Sequence, residues 1–238
     1  MGQLLIIIPA YNEAQNIFKV VNNLKENYKQ YDYIVVNDGS QDETAKICRE
    51  NGIEFLDLPV NIGLAGGVQT GFRWALKKGY DMVLQFDGDG QHLPEYISGM
   101  IDKMKQGSAD IIIGSRFLND EKNKKGLRVL GSKIIAAFIF LTTRQKISDP
   151  TSGMRLFNRR MIWRFANMMN YGPEPDTISY LIRCGAKVRE VSVEMQEREA
   201  GESYLDMVSS IKYMIRMCVS LMCVQGFRKR VNIHDDAV

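Results

Sequence analysis

The 238-residue sequence predicts an α/β protein on a mainly parallel sheet with helices on both faces. Three observations predict it. Short apolar runs alternate with longer amphipathic stretches. The runs are apolar throughout, as strands covered on both faces are. Polar clusters follow them directly, at the strand ends where parallel sheets collect their ligands.

Leu4–Ile8 is the first buried strand, and Ala14–Tyr28 follows as a helix with Ile17, Val20, Val21 and Leu24 on one face. Tyr33–Val36 is a second strand, after which Asp42 or a neighbour caps the next helix. Ile53–Leu58 is a third strand, and a helix runs from the Asn61-Ile-Gly stretch to about Lys78. Met82–Phe86 is a fourth strand that delivers Asp87 at its end; a helix over Pro94–Lys105 and a strand over Asp110–Ile113 complete the alternation. The polar clusters at the strand ends are Tyr11-Asn12-Glu13, Asp38, Asp87 with Asp89, and Ser115-Arg116, and one site could gather them all. Beyond them come a basic segment (Lys122, Lys124, Lys125, Arg128, Lys133), the apolar run Ile134–Leu141, and a methionine-rich helix over Leu205–Val224 closed by Arg228-Lys229-Arg230.

Hydrophobic residues make up 45% and charged residues 25% of the chain, an ordinary globular composition, and a net charge of +3 gives no argument for nucleic acid as a partner. Cys48, Cys184, Cys218 and Cys223 form no zinc-ligand spacing and read as buried free thiols of a reducing compartment. No basic leader precedes the first strand and no stretch reaches the ~20 apolar residues of a membrane span. A cytoplasmic location is the expectation.

The densest chemistry lies in Asp87-Gly-Asp89-Gly-Gln91-His92. Two carboxylates two residues apart in a glycine-loosened turn can converge on a hard cation, with the Gln91 carbonyl as a further oxygen ligand. Such an ion would contact a diphosphate and neutralise charge on a nucleoside-diphosphate leaving group. A solvated acidic turn has the same composition. Asn37-Asp-Gly-Ser40 is either a turn with a helix cap or a base and ribose contact through Asp38. Gly63, Gly66, Gly67 and Gly71 match neither the dinucleotide fingerprint nor a phosphate-binding loop with its lysine. They serve close helix–strand packing or, with Gly66 as the candidate, a nucleotide.

Pro9-Ala-Tyr-Asn-Glu13, Asn37-Asp-Gly-Ser40 with Asp42 and Thr44, Asn61-x-Gly63, Asp87 through His92, and Gly114-Ser-Arg116 occur in an order that resembles the family 2 glycosyltransferases. The resemblance covers roughly residues 3–200 and implies the GT-A fold. Asp89 with Gln91-His92, Arg116, Arg128 with Ser132, Asp149-Pro-Thr-Ser152-Gly153 and Arg198-x-x-Gly201-x-Ser203 narrow it to the dolichol- or polyprenyl-phosphate sugar synthases, dolichol-phosphate mannose synthases among them. It implies that Pro9, Tyr11, Glu13, Asp38 and Asp87 hold the nucleoside. Asp87, Asp89 and Gln91 hold Mg²⁺ or Mn²⁺ and the diphosphate, and Arg116, Arg128, Ser132 and Arg198 hold the phosphate of a lipid acceptor. Two positions depart from the family: Asn37 stands where it commonly has an aspartate, and Tyr204 where a lysine usually follows the serine.

The implied reaction is inverting, from a UDP- or GDP-sugar to polyprenyl phosphate, with UDP-glucose or UDP-N-acetylglucosamine favoured and a role in cell-envelope glycans. A polyprenyl phosphate is already an anionic nucleophile, so positioning and charge compensation can replace a strong base. The expected organisation is a catalytic domain over 1–204, an amphipathic membrane-associating or oligomerising helix over 205–230 and a tail over 231–238. Peripheral contact with the inner face of the plasma membrane, and a small membrane-protein partner or self-association, go with it. Ile134–Leu141 and Met207–Val224 are either interfacial or core segments. The competing readings are transfer to a saccharide or glycolipid hydroxyl with Glu174 or Asp176 as base, Asp176 being equally a helix cap, and a nucleotidyltransferase.

Overall fold

The computed structural model describes residues 2–107, 109–118, 127–168, 172–196, 207–224, 227–231 and 233, with the backbone alone at 127–128 and 207–211. In chain order the first half runs β1 (Leu4–Ala10), α1 (Ile17–Asn27), β2 (Asp32–Asn37), α2 (Thr44–Glu50), β3 (Phe55–Asp57), α3 (Gly63–Lys78), β4 (Met82–Gln85), α4 (Ile97–Gly107) and β5 (Ile111–Ser115). The second half adds α5 (Leu127–Thr143), β6 (Arg155–Asn158), α6 (Arg159–Asn167), α7 (Pro175–Arg183), β7 (Val188–Ser192) and α8 (Met207–Val219), which continues as a π-helical turn over Ser220–Val224.

The seven strands form one sheet in the order β3-β2-β1-β4-β6-β5-β7. Every pairing is parallel except those of β6, which runs against both β4 and β5. β6, α6, α7 and β7 are additions to the sequence reading. Four residues, Arg-Leu-Phe-Asn, carry too little pattern to announce β6. The reading also makes β3 too long: it is an edge strand of three half-exposed or exposed residues.

The sheet is covered on both faces, as its uniformly apolar strands require. On one face Leu5, Ile7, Val83, Ile113 and Phe157 pack against α3, α5, α6 and α7, with Met217 of α8 and Leu221 in the same cluster. Phe72 stacks on Phe165 at 4.8 Å between ring centroids and meets Phe157 edge-on at 5.1 Å, an aromatic pin through α3, α6 and the sheet. On the other face Ile6, Ile8, Leu84 and Leu156 pack against Val21 of α1, Cys48 of α2 and Met100 of α4.

The outer surfaces of α5 and α8 expose several large apolar side chains beside Lys133, Lys212 and Arg216. Leu130, Phe140 and Leu141 on α5 are exposed, as are Ile215, Val219, Met222, Val224 and Phe227 at the C-terminal end. Both candidate segments are therefore divided: Ile135, Ile139, Met217 and Leu221 face the core, and their neighbours face outward. Cys48 and Cys184 are buried free thiols as expected, whereas Cys218 is only half-buried and Cys223 is exposed. No helix among the described residues is long and apolar enough to cross a membrane.

The packing of α3 on β1 depends on a glycine. A Cβ at Gly71 would lie 2.5 Å from Ile7 Cγ2. Gly71→Ala gains helix propensity of about 1 kcal/mol against an overpacking cost of about 1–3 kcal/mol, so we expect a net loss of up to about 2 kcal/mol in unfolding free energy, read as a lower urea midpoint.

Candidate active site

Because β1, β2, β4 and β5 point the same way, their carboxyl ends open on one edge of the sheet. The loops after β1 and β2 are laced together there. Asn12 takes a left-handed φ of 57°, donates its N–H to Ser40 Oγ at 2.9 Å, and accepts from the Gln41 N–H through Oδ1 at 2.9 Å. Thr44 Oγ1 accepts from the Glu13 N–H at 2.9 Å, and Asp42 accepts from the N–H groups of Ala14 and Thr44. The cap position of α2 is the neighbouring Glu43, which makes no side-chain cap bond; Asp42 instead accepts from the first helical N–H and ties the helix start to the β1 loop. Tyr11 and Glu13 are held half-buried on this edge.

Asp38 is buried, donates its N–H to the Ala10 carbonyl, and accepts from the Ile62 N–H at 2.8 Å. Gly39 beside it has φ +64°, and a Cβ there would lie 2.6 Å from the backbone of Val60 and Asn61. The glycine against Asp38 is Gly67; a Cβ on Gly66 would instead meet Ile62 at 2.7 Å. Asn37 is buried and donates Nδ2 to Asp57 Oδ1 at 2.6 Å, while Asp57 Oδ2 pairs with Arg49 at 2.7 Å. The amide at 37 is thereby explained: a carboxylate there would face another carboxylate.

The acidic turn follows β4. His92 is buried, and its Nδ1 accepts from the Asp87 N–H at 3.0 Å, which leaves Nε2 as the protonated nitrogen 3.5 Å from Asp87 Oδ2. Asp89 Oδ1 accepts from the Gln91 N–H at 3.0 Å, and Gly90 turns the chain at φ +78°. Gln91 Nε2 donates to the Gln196 carbonyl at 3.3 Å, and the Gln196 N–H returns a bond to the Gln91 carbonyl. A Cβ at Gly88 would come within 3.2 Å of the Pro9 carbonyl, so the turn lies directly on the β1 loop.

No group of three or more histidine, cysteine or acidic side chains among the described residues could close a metal site alone. Asp87, Asp89 and Gln91 offer the incomplete oxygen set that fits Mg²⁺ or Mn²⁺ shared with substrate phosphates.

Arg116, after β5, is gripped by one carboxylate. Its Nε and Nη2 donate to the two oxygens of the wholly buried Asp149 at 2.6 and 2.8 Å, and Nη2 also reaches Thr151 Oγ1 at 3.0 Å. Ser132 Oγ donates to Asp149 Oδ1 at 3.4 Å, and Thr151 Oγ1 lies 3.2 Å from Ser132 Oγ. Glu190 holds the start of the loop by accepting from the N–H groups of Ser148 and Asp149 at 2.8–2.9 Å. Farther along the loop, Gly153 abuts the Asp87 carboxylate so closely that no Cβ fits between them.

The structure thus brings together Pro9, Asp38, Asp87, Asp89 and Gln91 on one side of the edge, and Arg116 and Ser132 on the other. Arg198 and the Gly201–Tyr204 stretch lie outside the described residues, as does the Arg128 side chain. The bond of Asp149 to Arg116 is not evident from the Asp149-Pro-Thr-Ser152-Gly153 motif, and its signal is a lone acid before proline. Glu174 accepts from Arg216 Nη2 at 3.0 Å, and Asp176 accepts from Ser220 Oγ at 2.6 Å. Asp176 sits in the first turn of α7 rather than capping it. Both candidate bases fasten the C-terminal helix.

One edge of the α/β sheet thus gathers an acidic turn and an arginine held by a buried carboxylate. Residues 5–165 match the glycosyl transferase family 2, and the chain belongs to that family and is a glycosyltransferase. It is 29% identical to the undecaprenyl-phosphate mannosyltransferase of Micrococcus luteus, over 84% of this chain and 86% of that one. It is 33% identical to the UDP-N-acetylglucosamine–dolichyl-phosphate N-acetylglucosaminyltransferase of Methanococcus voltae, over 66% and 69%. The fold is similar to that of Mycobacterium tuberculosis glucosyl-3-phosphoglycerate synthase, solved with Mn²⁺, UDP and phosphoglyceric acid: TM-score 0.70 at 16% identity, covering 96% of this chain and 80% of that one. The architecture is the GT-A fold.

Asn37→Asp tests the local reading of the nucleoside side. It sets two carboxylates against each other in a buried place, so we expect a loss of about 1–3 kcal/mol in chemical denaturation at neutral pH, which Asp57→Asn in the same chain restores.

Proposed function

We propose that the protein transfers a sugar, with inversion, from a nucleotide-sugar to polyprenyl phosphate at the inner face of the plasma membrane, for cell-envelope glycan synthesis. The observation that carries this is the placement of Arg116, held by Asp149 and Thr151, on the same edge as the Asp87–Gln91 turn. Pro9, Tyr11, Glu13, Asp38, Gly66 and Asp87 hold the nucleoside. Asp89, Gln91 and Asp87 hold Mg²⁺ or Mn²⁺, which when bound neutralises the diphosphate. Arg116, Arg128, Ser132 and Arg198 hold the acceptor phosphate.

An acceptor phosphate oxygen attacks the anomeric carbon, the bond from that carbon to the diphosphate breaks, and the nucleoside diphosphate leaves with the electron pair. No proton has to be removed from the acceptor. Glu174 and Asp176 are therefore free to act as fasteners, and the hydroxyl-acceptor reading loses its base. The fixed Asp149 carboxylate pre-orients Arg116, so the guanidinium costs little further ordering when the anion arrives.

The exposed apolar residues of α5 and α8, with Lys229 and Arg230 exposed at the end, support peripheral contact with an anionic membrane. A small membrane-protein partner or a second copy of the chain would cover the same face.

The deciding assay incubates UDP-glucose, UDP-N-acetylglucosamine and GDP-mannose separately with undecaprenyl phosphate and Mg²⁺ or Mn²⁺. One donor is expected to yield a lipid-phosphate sugar. Chelation should abolish the product, and Asp89→Asn should lower kcat by about 100-fold or more. Transfer only to a hydroxyl acceptor would refute the proposal.

The protein is also expected to co-float with liposomes containing anionic lipid, and Ile215→Asp with Met222→Asp to remain in the dense fraction. Absence of flotation by the unaltered protein counts against membrane contact.

A further inference from the structure

Arg155, the first residue of β6, takes no part in the sites described so far. It is 3% exposed, and it lies opposite Gln85 of β4 and Ile113 of β5 in the register of the sheet. Its Nη2 donates to the Pro150 carbonyl at 2.6 Å, while its Nε has no hydrogen-bond partner. Gln85, two residues before Asp87, is also buried and leaves Oε1 without a donor. A polar layer therefore separates the hydrophobic core from the active edge.

An arginine stays charged in such a place, and a buried charge without an ion pair weakens the fold unless something else requires it. Desolvation pulls the proton affinity of Arg155 below its ordinary value, against the attraction of Tyr213, Asp149, Asp87 and Glu174. Those carboxylates are engaged elsewhere: Asp149 with Arg116, Glu174 with Arg216, and Asp87 facing His92. The contact Arg155 does make is to Pro150, next to Asp149 in the loop 149–153, whose ends meet different halves of the site. Asp149 grips Arg116 at one end, and Gly153 abuts Asp87 at the other.

We propose that Arg155 is a positioning residue: it holds the loop 149–153 from beneath and so fixes the spacing between the Arg116 side and the Asp87 side of the site. The inference rests on the reading that the first side takes the acceptor anion and the second the donor. Its effect is on the distance between two bound groups, which catalysis reads more sharply than binding does.

The test uses Arg155→Lys, Arg155→Gln and Arg155→Met in the full chain. Each is assayed for transfer to undecaprenyl phosphate, for Mn²⁺·UDP affinity by calorimetry, for melting temperature, and for hydrogen exchange in peptides covering 149–154. The glutamine and methionine variants should lose about 10- to 100-fold in kcat with UDP affinity kept within about threefold. The methionine variant should melt within a few degrees of the unaltered protein, or above it, since it removes an unpaired buried charge. Lysine, which can still donate to Pro150, should restore most of kcat. Exchange should rise at 149–154 and not in β1 or β4.

Unchanged kcat in folded variants, or unchanged exchange at 149–154, would overturn the proposal. So would a parallel fall of kcat, UDP affinity and melting temperature in all three, the mark of a purely structural residue. If the unaltered protein fails to use undecaprenyl phosphate, the acceptor reading falls, and the exchange measurement alone still decides the role of Arg155.

Discussion

One reversed strand decides what meets what at the active edge. If β6 ran parallel to β4 and β5, the segment leading into it would emerge at the far side of the sheet. Running antiparallel, it brings its entry loop, Asp149 to Met154, to the edge where β4 ends in Asp87 and β5 in Ser115-Arg116. The Met154 carbonyl accepts from the Gly114 N–H, so the loop is stitched to the end of β5 just before the arginine it serves. The two halves of the site, the Asp87 side and the Arg116 side, are joined through this one segment.

The parallel part of the fold was legible because its constraint is simple. A strand buried on both faces is apolar through its middle, and β1, β2 and β4 are, with polar residues only at the ends of β2 and β4. Their polar followers then had to share an edge, and the structure places Pro9, Asp38 and Asp87 on it. The remainder was hidden for equally physical reasons. β6 opens with a buried arginine and closes with an asparagine that caps α6, so its four residues look like a loop. β3 pairs on only one side, and its half-exposed residues reflect that. Arg155 and Gln85 could not be found by hydrophobic pattern, because a buried polar side chain is recognised only by what surrounds it.

Glycines in this chain do two different jobs. Gly39 and Gly90 have left-handed φ and turn the loops that carry Asp38 and Asp89. Gly71 and Gly153 are needed because another group occupies the space: Ile7 in one case, the Asp87 carboxylate in the other. The sequence treats all four alike. Gly39 meets both demands, since a Cβ there would also strike the backbone of Val60 and Asn61, and Gly153 is where the dependence on a neighbour reaches the Asp87 side of the site.

The acidic residues divide the same way. Asp42, Asp57, Asp149, Glu174 and Glu190 all spend their charge on protein groups: backbone N–H donors, the Asn37 amide, or arginines. Among the described residues, Asp87 lies 3.5 Å from His92 Nε2 and against Gly153, and it keeps about a third of its side chain open to solvent. A carboxylate left this underused beside a buried backbone turn is available to a cation in a way the others are not. The arginines differ in the acids that hold them: Arg216 and Arg49 are mostly exposed and pair with acids that are themselves part-exposed. Arg116 is 30% exposed and is held by both oxygens of the wholly buried Asp149. A buried, bidentate acid fixes the plane of the guanidinium, and the acceptor contact proposed for Arg116 would use the part of it left open.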